Sequence, residues 1–284
     1  MNSKPTSALW VAATPIGNPG DLSPRAAEAL AKASLVLAED TRRASLLLHS
    51  VGVQAQRMVS LFEHNEEGRI KQALEVLGRG EDVALISDAG SPLLSDPGYR
   101  LVRACREAGV SVKPVPGPSA VTAALSACGL PPYPFTFLGF PPRSQGRLRK
   151  LFATHKDTGA TLVLFERKDR VSETLSAALE ILGDREACLA REMTKEHEEF
   201  ILGSLAELSG RDLGLLGEIT VVIGPAQAEA VTDEDTAIRV LREEREAGGK
   251  PKEAAKRAAE RLSGWSAKEL YELMNRSGEG ENPF

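Results

Sequence analysis

Three polar clusters in the N-terminal half combine residue types that can move a proton. Glu39-Asp40-Thr41-Arg42-Arg43 crowds carboxylates against guanidinium groups directly after the apolar run SLVLA. Glu63-His64-Asn65-Glu66 follows Met58–Phe62, and Asp88-Ala89-Gly90-Ser91 follows Val83–Ile86. Carboxylates and imidazoles are the usual groups for taking a proton from a hydroxyl. Singly, each cluster also has an ordinary reading. Exposed ion pairs are common and contribute little, and His64 fits a lone surface histidine. Recurrence at the ends of successive apolar runs is what favours a site. Arg191-Glu192-Met193-Thr194-Lys195 repeats the pattern further on, where a cleft-facing Lys195 and a surface ion-pair run both fit.

Further stretches suit anions. Pro116-Gly117-Pro118-Ser119-Ala120 sets a rigid turn before a helix, whose first N–H groups suit a carboxylate or phosphate. An inter-domain turn with Ser119 as N-cap explains the same residues. Phe140–Lys156 carries Arg143, Arg147, Arg149, Lys150 and Lys156 with no acidic residue. A phosphate-binding loop and a solvated basic loop account for it equally. The tail adds Lys250, Lys252, Lys256, Arg257 and Arg261, partly offset by Glu253 and Glu260.

These groups need elements to position them. Ala84–Pro97, ALISDAGSPLLSDP, reads as a buried strand entering a Gly/Pro loop, with an amphipathic helix from Tyr99. Open α/β sheets present ligand sites in this way, past the strand's carboxyl end. Leu9–Ala13, Ser34–Ala38, Met58–Phe62 and Val110–Val115 read as further strands, with helical patterns at Arg25–Ala33, Leu46–Leu48, Arg69–Leu77 and Tyr99–Ala108. The alternation predicts a parallel sheet with helices on both faces. We expect an N-terminal α/β domain over 1–116, a second α/β domain over 117–225, and a linker with a helical unit over 226–284. In the second domain Phe135–Phe140, Thr161–Phe165, Ala187–Ala190 and Glu218–Ile223 read as strands, and Ala120–Cys128 and Val171–Leu182 as helices. Ala226–Thr236 reads as a polar linker. Ala237–Ala247, Pro251–Leu262 and a helix after the Ser266/Glu269 capping box follow. They fit a helix-turn-helix unit or a helical cap equally well. Gly278–Phe284 is expected to fray.

Composition excludes several classes. A net charge of −5 leaves no global attraction for nucleic acid, so RNA would be bound by local basic patches. Aromatic residues are only 5%, too few for a base-stacking sheet platform. No apolar run approaches the ~18 residues of a membrane span. Cys105, Cys128 and Cys188 are widely spaced, and the histidines form no metal-ligating pair. A cytoplasmic protein with reduced cysteines and no metal is expected.

Longer motifs carry more. TPIGNPGDLSPRA (Thr14–Ala26), LAEDTR (Leu37–Arg42), FEHNE (Phe62–Glu66) and SDAGSPLLSDPG (Ser87–Gly98) occur in that order. VPGPSAVTAALSACGLP (Val115–Pro131), GFPPR (Gly139–Arg143), LAREMTKEHEE (Leu189–Glu199) and GEITVVIG (Gly217–Gly224) continue the series. Together they resemble the ribosomal RNA small subunit methyltransferase I family, of the tetrapyrrole-methylase-like class. The resemblance implies two α/β domains of the tetrapyrrole-methylase type with a cofactor cleft between them, and a small C-terminal helix-turn-helix-like unit. It implies S-adenosylmethionine as cofactor, a homodimer, and 2′-O-methylation of a cytidine in the decoding region of 16S rRNA, free or within the small ribosomal subunit. Carried over by position, the cofactor would meet Pro15, Ile16, Gly90, Ser91, Leu94, Ser119 and Ala120. From the second domain it would meet Phe165, Met193, Glu218, Ile219 and Thr220. Related small-molecule methylases carry Gly-Asp-Pro where this chain has Gly90-Ser91-Pro92, so a hydroxyl replaces their carboxylate.

Glu39 aligns with a catalytic carboxylate of some tetrapyrrole enzymes and is the first catalytic candidate, with Asp40, His64 and Lys195 beside it. Arg42, Arg143, Arg147, Arg149, Lys150, Lys252 and Lys256 are the RNA-binding candidates. Methyl transfer from a sulfonium asks chiefly for alignment, which can supply about 7–11 kcal/mol. A general base adds about 10²–10⁴ in rate. A tetrapyrrole methylase of the same fold and a non-catalytic RNA-binding or ribosome-assembly protein are the alternatives. The basic stretch and helical tail argue against the first, and the intact cleft loops against the second.

Overall fold

The runs Leu35–Ala38 and Val83–Ile86 are buried at every residue, as strands covered on both faces must be. The computed structural model, which describes residues 7–211, 217–226 and 232–276, places them inside a five-stranded sheet. In chain order its elements are β1 (Ala8–Ala12), α1 (Pro24–Lys32), β2 (Leu35–Ala38), α2 (Thr41–Ser50) and β3 (Met58–Ser60). They continue with α3 (Glu66–Gly78), β4 (Val83–Ile86), α4 (Tyr99–Glu107) and β5 (Ser111–Val115). The strands lie in the order β3-β2-β4-β1-β5 and every neighbouring pair is parallel.

Alternate side chains serve opposite faces. Leu9, Leu35, Leu37, Val83 and Leu85 pack with Val76, Leu77 and Leu101 of α3 and α4. Val36, Ala38, Ala84 and Ile86 pack with Leu30 and Leu48 of α1 and α2. The strand order also locates a crevice. After β2 the chain turns outward to β3, whereas after β4 it crosses to β5 at the opposite edge. Connections that diverge from adjacent strands open a space past their carboxyl ends. Glu39 directly follows one of those strands and Asp88 comes two residues after the other.

The second sheet is built from α5 (Ala120–Ala127), β6 (Phe135–Phe137), α6 (Gln145–His155), β7 (Thr161–Arg167) and α7 (Val171–Leu182), then β8 (Glu186–Arg191), β9 (Glu199–Ser204), α8 (Leu205–Ser209) and β10 (Glu218–Ile223). Its order is β6-β7-β10-β8-β9. Only β6 and β7 are parallel; the other pairs are antiparallel. One face is covered by Leu148 and Phe152 of α6, Leu175 of α7 and Leu208 of α8. The other, with Val163, Cys188, Ala190 and Val222, takes Val121, Ala124 and Leu125 of α5, and Ile16 from the loop after β1. The basic stretch expected as a loop is therefore mostly helix α6: Ser144 Oγ accepts from the Arg147 N–H, and Leu148 and Phe152 anchor the helix in the core.

By its contacts the chain divides into two compact units, Met1–Pro225 and Ala226–Phe284. In the second, α9 (Glu234–Glu246), α10 (Pro251–Arg261) and α11 (Ala267–Arg276) enclose Leu241, Leu262, Leu270 and Met274. Arg257 and Arg261 bind Glu244 at 2.7 and 2.6 Å, so these tail cations tie α10 to α9. The Ser266/Glu269 capping box forms reciprocally. Part of the linker stretch, residues 227–231, and the segment Gly278–Phe284 expected to fray lie outside the described residues.

Gly17, after β1, rests against the turn that follows β8. A Cβ there would stand 2.8 Å from the Met193 carbonyl oxygen and 2.6 Å from Lys195 Cγ. A backbone oxygen does not yield as a flexible side chain can. Gly17→Ala is expected to destabilise the protein by about 1–3 kcal/mol, read as a lower denaturant midpoint at unchanged m-value. Wild-type stability in this variant would contradict the contact.

Candidate active site

The sheet's crevice opens into a cleft of about 660 Å³ within the first unit, lined by loops from both sheets. Its first wall is made by the loops after β1 and β4. The Thr14 N–H donates to the Gly90 oxygen and the Gly90 N–H to the Thr14 oxygen, both at 2.9 Å. Thr14 Oγ1 also donates to the Ser87 carbonyl at 3.1 Å. This staple brings Pro15, Ile16, Gly90, Ser91 and Leu94 to one surface. Gly90 has φ +79°, the left-handed region that glycine adopts without strain. A Cβ on it would project to 3.5 Å from Ile16 Cγ2, so the bare backbone keeps the cleft open. Ser91 Oγ donates to the Pro118 carbonyl at 3.3 Å, joining this wall to the Pro116–Ser119 turn.

Ser119 and Ala120 form the next wall at the start of α5. Ser119 occupies the N-cap position, but its side chain makes no capping hydrogen bond, contrary to the sequence expectation. The second sheet contributes Phe165 of β7, Met193, and Glu218, Ile219 and Thr220 of β10. Phe165 is fixed by rings on two sides, Phe137 at 4.9 Å and Phe140 at 5.4 Å between centroids. Glu166 beside it is buried and accepts from Thr174 Oγ1 at 2.7 Å. Arg170 links Glu166 to the Pro141 and Pro142 carbonyls, so the Gly139–Arg143 turn is braced by a buried ion pair. Every position that the motifs suggest for the cofactor thus lines one cavity.

The floor at the carboxyl ends of β2 and β4 is acidic. Glu39, Asp88 and Asp96 line it, with Arg43 among them. Asp88 accepts from the Asp40 N–H at 3.0 Å and pairs with Arg43 at 3.3 Å. Glu39 is left without an equivalent cation. Burial, and then the charge of Asp88, raise its pKa above the ordinary carboxylate value. Burial, and then the charge of Glu39, push Asp96 up to about 6 although the Ser87 hydroxyl opposes the shift. Lys195 also faces the cleft, with Nζ 3.0 Å from Glu192 Oε1.

Other candidates stand elsewhere. His64 is exposed on the short 3-10 turn Glu63–Asn65 and does not line the cleft. Asp40 is the N-cap of α2: it accepts from the Arg42 N–H at 2.9 Å and pairs with the Arg42 guanidinium at 2.6 Å. The Arg42 hydrogen bonds hold its carboxyl well below the usual carboxylate range, which makes it a poor base. Arg42 is correspondingly engaged in that pair, with its side chain 88% exposed. Arg143, Arg147 and Lys150 are exposed along the start of α6. Arg149 is held by Glu180 of α7 at 2.9 Å, and Gln145 bonds Glu173, so acids from a separate helix reduce the charge of the basic stretch. Lys252 and Lys256 are exposed on α10 in the other unit.

Asp96 was missed because Ser95-Asp96-Pro97-Gly98 reads as a turn. The available signal was a carboxylate in the same Gly/Pro-rich loop as Gly90. Among the described residues, no group of His, Cys, Asp and Glu could hold a metal ion, and no helix is long and apolar enough to cross a membrane.

Comparison with known proteins agrees with this architecture. The model of the tetrapyrrole (corrin/porphyrin) methylases matches residues 8–209. A ribosomal RNA small subunit methyltransferase I from Mycobacterium tuberculosis is 43% identical over 272 residues, covering 95% of each chain. Its namesake from Thermotoga maritima is 45% identical over 217 residues, 76% of this chain and 97% of its own. Among solved structures, diphthine synthase superposes with a TM-score of 0.61 at 19% identity, covering 77% of this chain and 90% of its own. The methyltransferase CobJ superposes at 0.60 and 19%, covering 79% and 97%. These structural likenesses concern the fold alone. The chain belongs to the tetrapyrrole methylases and, among them, to the ribosomal RNA small subunit methyltransferase I family.

Proposed function

We propose that this chain transfers a methyl group from S-adenosylmethionine to the ribose 2′-hydroxyl of a cytidine in the decoding region of 16S rRNA, acting in the cytoplasm as a homodimer. The observation that carries the reading is one cleft joining an apolar, backbone-rich nucleoside-sized space to a half-buried carboxylate corner. The donor set fits the cofactor. Ile16, Ala120, Phe165, Met193 and Ile219 offer apolar cover, and Ser91, Ser119 and Thr220 offer hydroxyls. The first turn of α5 suits a carboxylate, and Gly90 leaves space that a side chain would fill. The volume lies within the usual range of cofactor sites. Glu39 and Asp88 place negative charge near any cation bound there.

When bound, S-adenosylmethionine supplies a methyl group made electrophilic by its sulfonium. The chain's own task is to hold a hydroxyl in line and accept its proton. Glu39 is the proposed acceptor and Asp96 its coupled neighbour; Lys195 stands on the opposite wall, while His64 and Asp40 leave the scheme on geometry. Ser91, bonded to the Pro118 carbonyl, would shape the cleft rather than supply the charge of the relatives' aspartate.

Four outcomes test this account. Single-turnover transfer to the small subunit should rise with pH to a plateau, with its midpoint above the ordinary carboxylate value, because the acceptor must be ionised and partial burial and then the charge of Asp88 raise Glu39. Glu39→Gln should slow it by about 10²–10⁴ with cofactor affinity retained; an unchanged rate removes Glu39 from the mechanism. Asp96→Asn should raise the melting temperature at pH 8, with the gain fading toward pH 4. The sign follows from linkage: a carboxyl that binds its proton more tightly when folded stabilises at low pH and destabilises once pH passes its folded pKa. An equal gain at both pH values would contradict the raised Asp96 carboxyl. For RNA, replacing Arg143, Arg147 and Lys150 together by Ala should flatten the slope of log K against log salt by about 2–3, near 0.7–0.9 per phosphate contact. An unchanged slope would exclude α6 from the RNA surface.

A further inference from the structure

A second cavity, of about 410 Å³, adjoins the cleft. Glu39, Ser95 and Asp96 line both, so the carboxylate corner is their common boundary. Its remaining lining is Phe62, Glu66, Pro97, Gly98, Tyr99 and Arg100. Aromatic residues are scarce in this chain, yet this groove holds exposed Phe62 (45%) and Tyr99 (64%). Exposed rings in a groove beside a transfer site have a use when the ligand has a flat face. Glu66 is buried, only 7% exposed, and its ion-pair partner, Arg100, is 3.7 Å away on a mostly exposed side chain. That long pair leaves the carboxylate able to accept a hydrogen bond and the guanidinium able to meet an anion.

Both walls are held rigidly. The Phe62 N–H donates to Asn65 Oδ1 at 2.9 Å, while Asn65 and Arg69 both donate to the Ser60 carbonyl. Across the groove, Leu93 and Ser95 both have φ +74°, a left-handed conformation that costs a non-glycine residue energy and persists only where its surroundings enforce it. Gly98 allows the tight passage into α4, since a Cβ there would come within 2.7 Å of Leu85 Cδ2.

We propose that this groove is a nucleotide subsite. It takes the unstacked base of the residue to be methylated against Phe62 and Tyr99, with an adjoining phosphate at Arg100, and leaves the ribose at the boundary where Glu39 and Asp96 stand. Glu66, an acceptor, selects a base that carries an exocyclic amine over one that presents a carbonyl there. A target base held inside a helix or stack cannot lie against these rings, so extrusion into the groove is the expected route. The FEHNE segment thereby contributes the Phe62 ring and the Glu66 carboxylate rather than the His64 imidazole. The inference rests on the RNA methyltransferase reading.

Its test does not depend on turnover. The full chain, saturated with S-adenosylhomocysteine to fill the cofactor cleft, is titrated with cytidine 5′-monophosphate by ligand-observed NMR. Saturable millimolar binding is expected, stronger than for uridine 5′-monophosphate. Phe62→Leu and Tyr99→Leu, which keep apolar bulk and lose the ring, should each weaken it by about tenfold. Arg100→Ala should weaken the monophosphate but not cytidine, and Glu66→Gln should erase the preference over uridine monophosphate. Absence of saturable binding to the wild type, or equal binding by folded ring variants that retain cofactor affinity, overturns the subsite. Methyl transfer by the wild type to 16S rRNA is scored separately: its absence overturns the methyltransferase reading, whatever the nucleotide does.

Discussion

Two backbone hydrogen bonds, exchanged between Thr14 and Gly90 at 2.9 Å, hold together the loops that leave β1 and β4. Neither loop is regular, and both are long enough to wander. The reciprocal pair fixes them in an isolated antiparallel bridge just past the parallel strands, and the Thr14 hydroxyl donates to the Ser87 carbonyl behind it. From that point the rest of the cleft is determined. Ile16 is delivered to the second sheet's apolar face, and Gly17 to the Met193–Lys195 turn. Ser91 reaches the turn that starts α5. A single bridge between the loops that leave adjacent parallel strands therefore helps set the spacing of walls that come from different sheets.

The acidic corner follows from topology rather than from local sequence. β2 and β4 are neighbours whose connections diverge, so the residues just past their ends face one space. Carboxylates from both strands then meet with Arg43 as the nearby cation. Asp88 takes Arg43, and Glu39 and Asp96 are left to repel one another in partial burial. This arrangement lowers stability at neutral pH and is tolerated where a proton acceptor is needed. Asp40, one residue from Glu39, shows the contrast: turned outward to cap α2, it is satisfied by Arg42 and has no remaining capacity to act.

What was legible in the sequence was set by local physics. LVLA and VALI read as short buried strands, and the polar loops after them marked the carboxyl edge. The positions proposed for the cofactor, from Pro15 to Thr220, come from the motifs that resemble the family, and all of them line one cavity. Other features depended on partners remote in sequence. β9 alternates poorly because it is a half-exposed edge strand, held by its ladder to β8. α6 was masked by its charges, whose counterions Glu173 and Glu180 lie on α7. Asp96 looked like a turn residue until Glu39 and Ser87 stood beside it. His64, conspicuous as a lone imidazole, proved to be the exposed centre of a short turn whose neighbours Phe62 and Glu66 line the adjoining groove.

The central claim is that the cleft and its carboxylate corner serve one ribose hydroxyl. The most direct measurement supplies tritiated S-adenosylmethionine and small ribosomal subunits to the protein, then maps the label after alkaline hydrolysis of the 16S rRNA. The account predicts label in a single alkali-resistant dinucleotide whose 5′ residue is a 2′-O-methylated cytidine. Label on a base, or an rRNA left unlabelled while a tetrapyrrole accepts the methyl group, would contradict it.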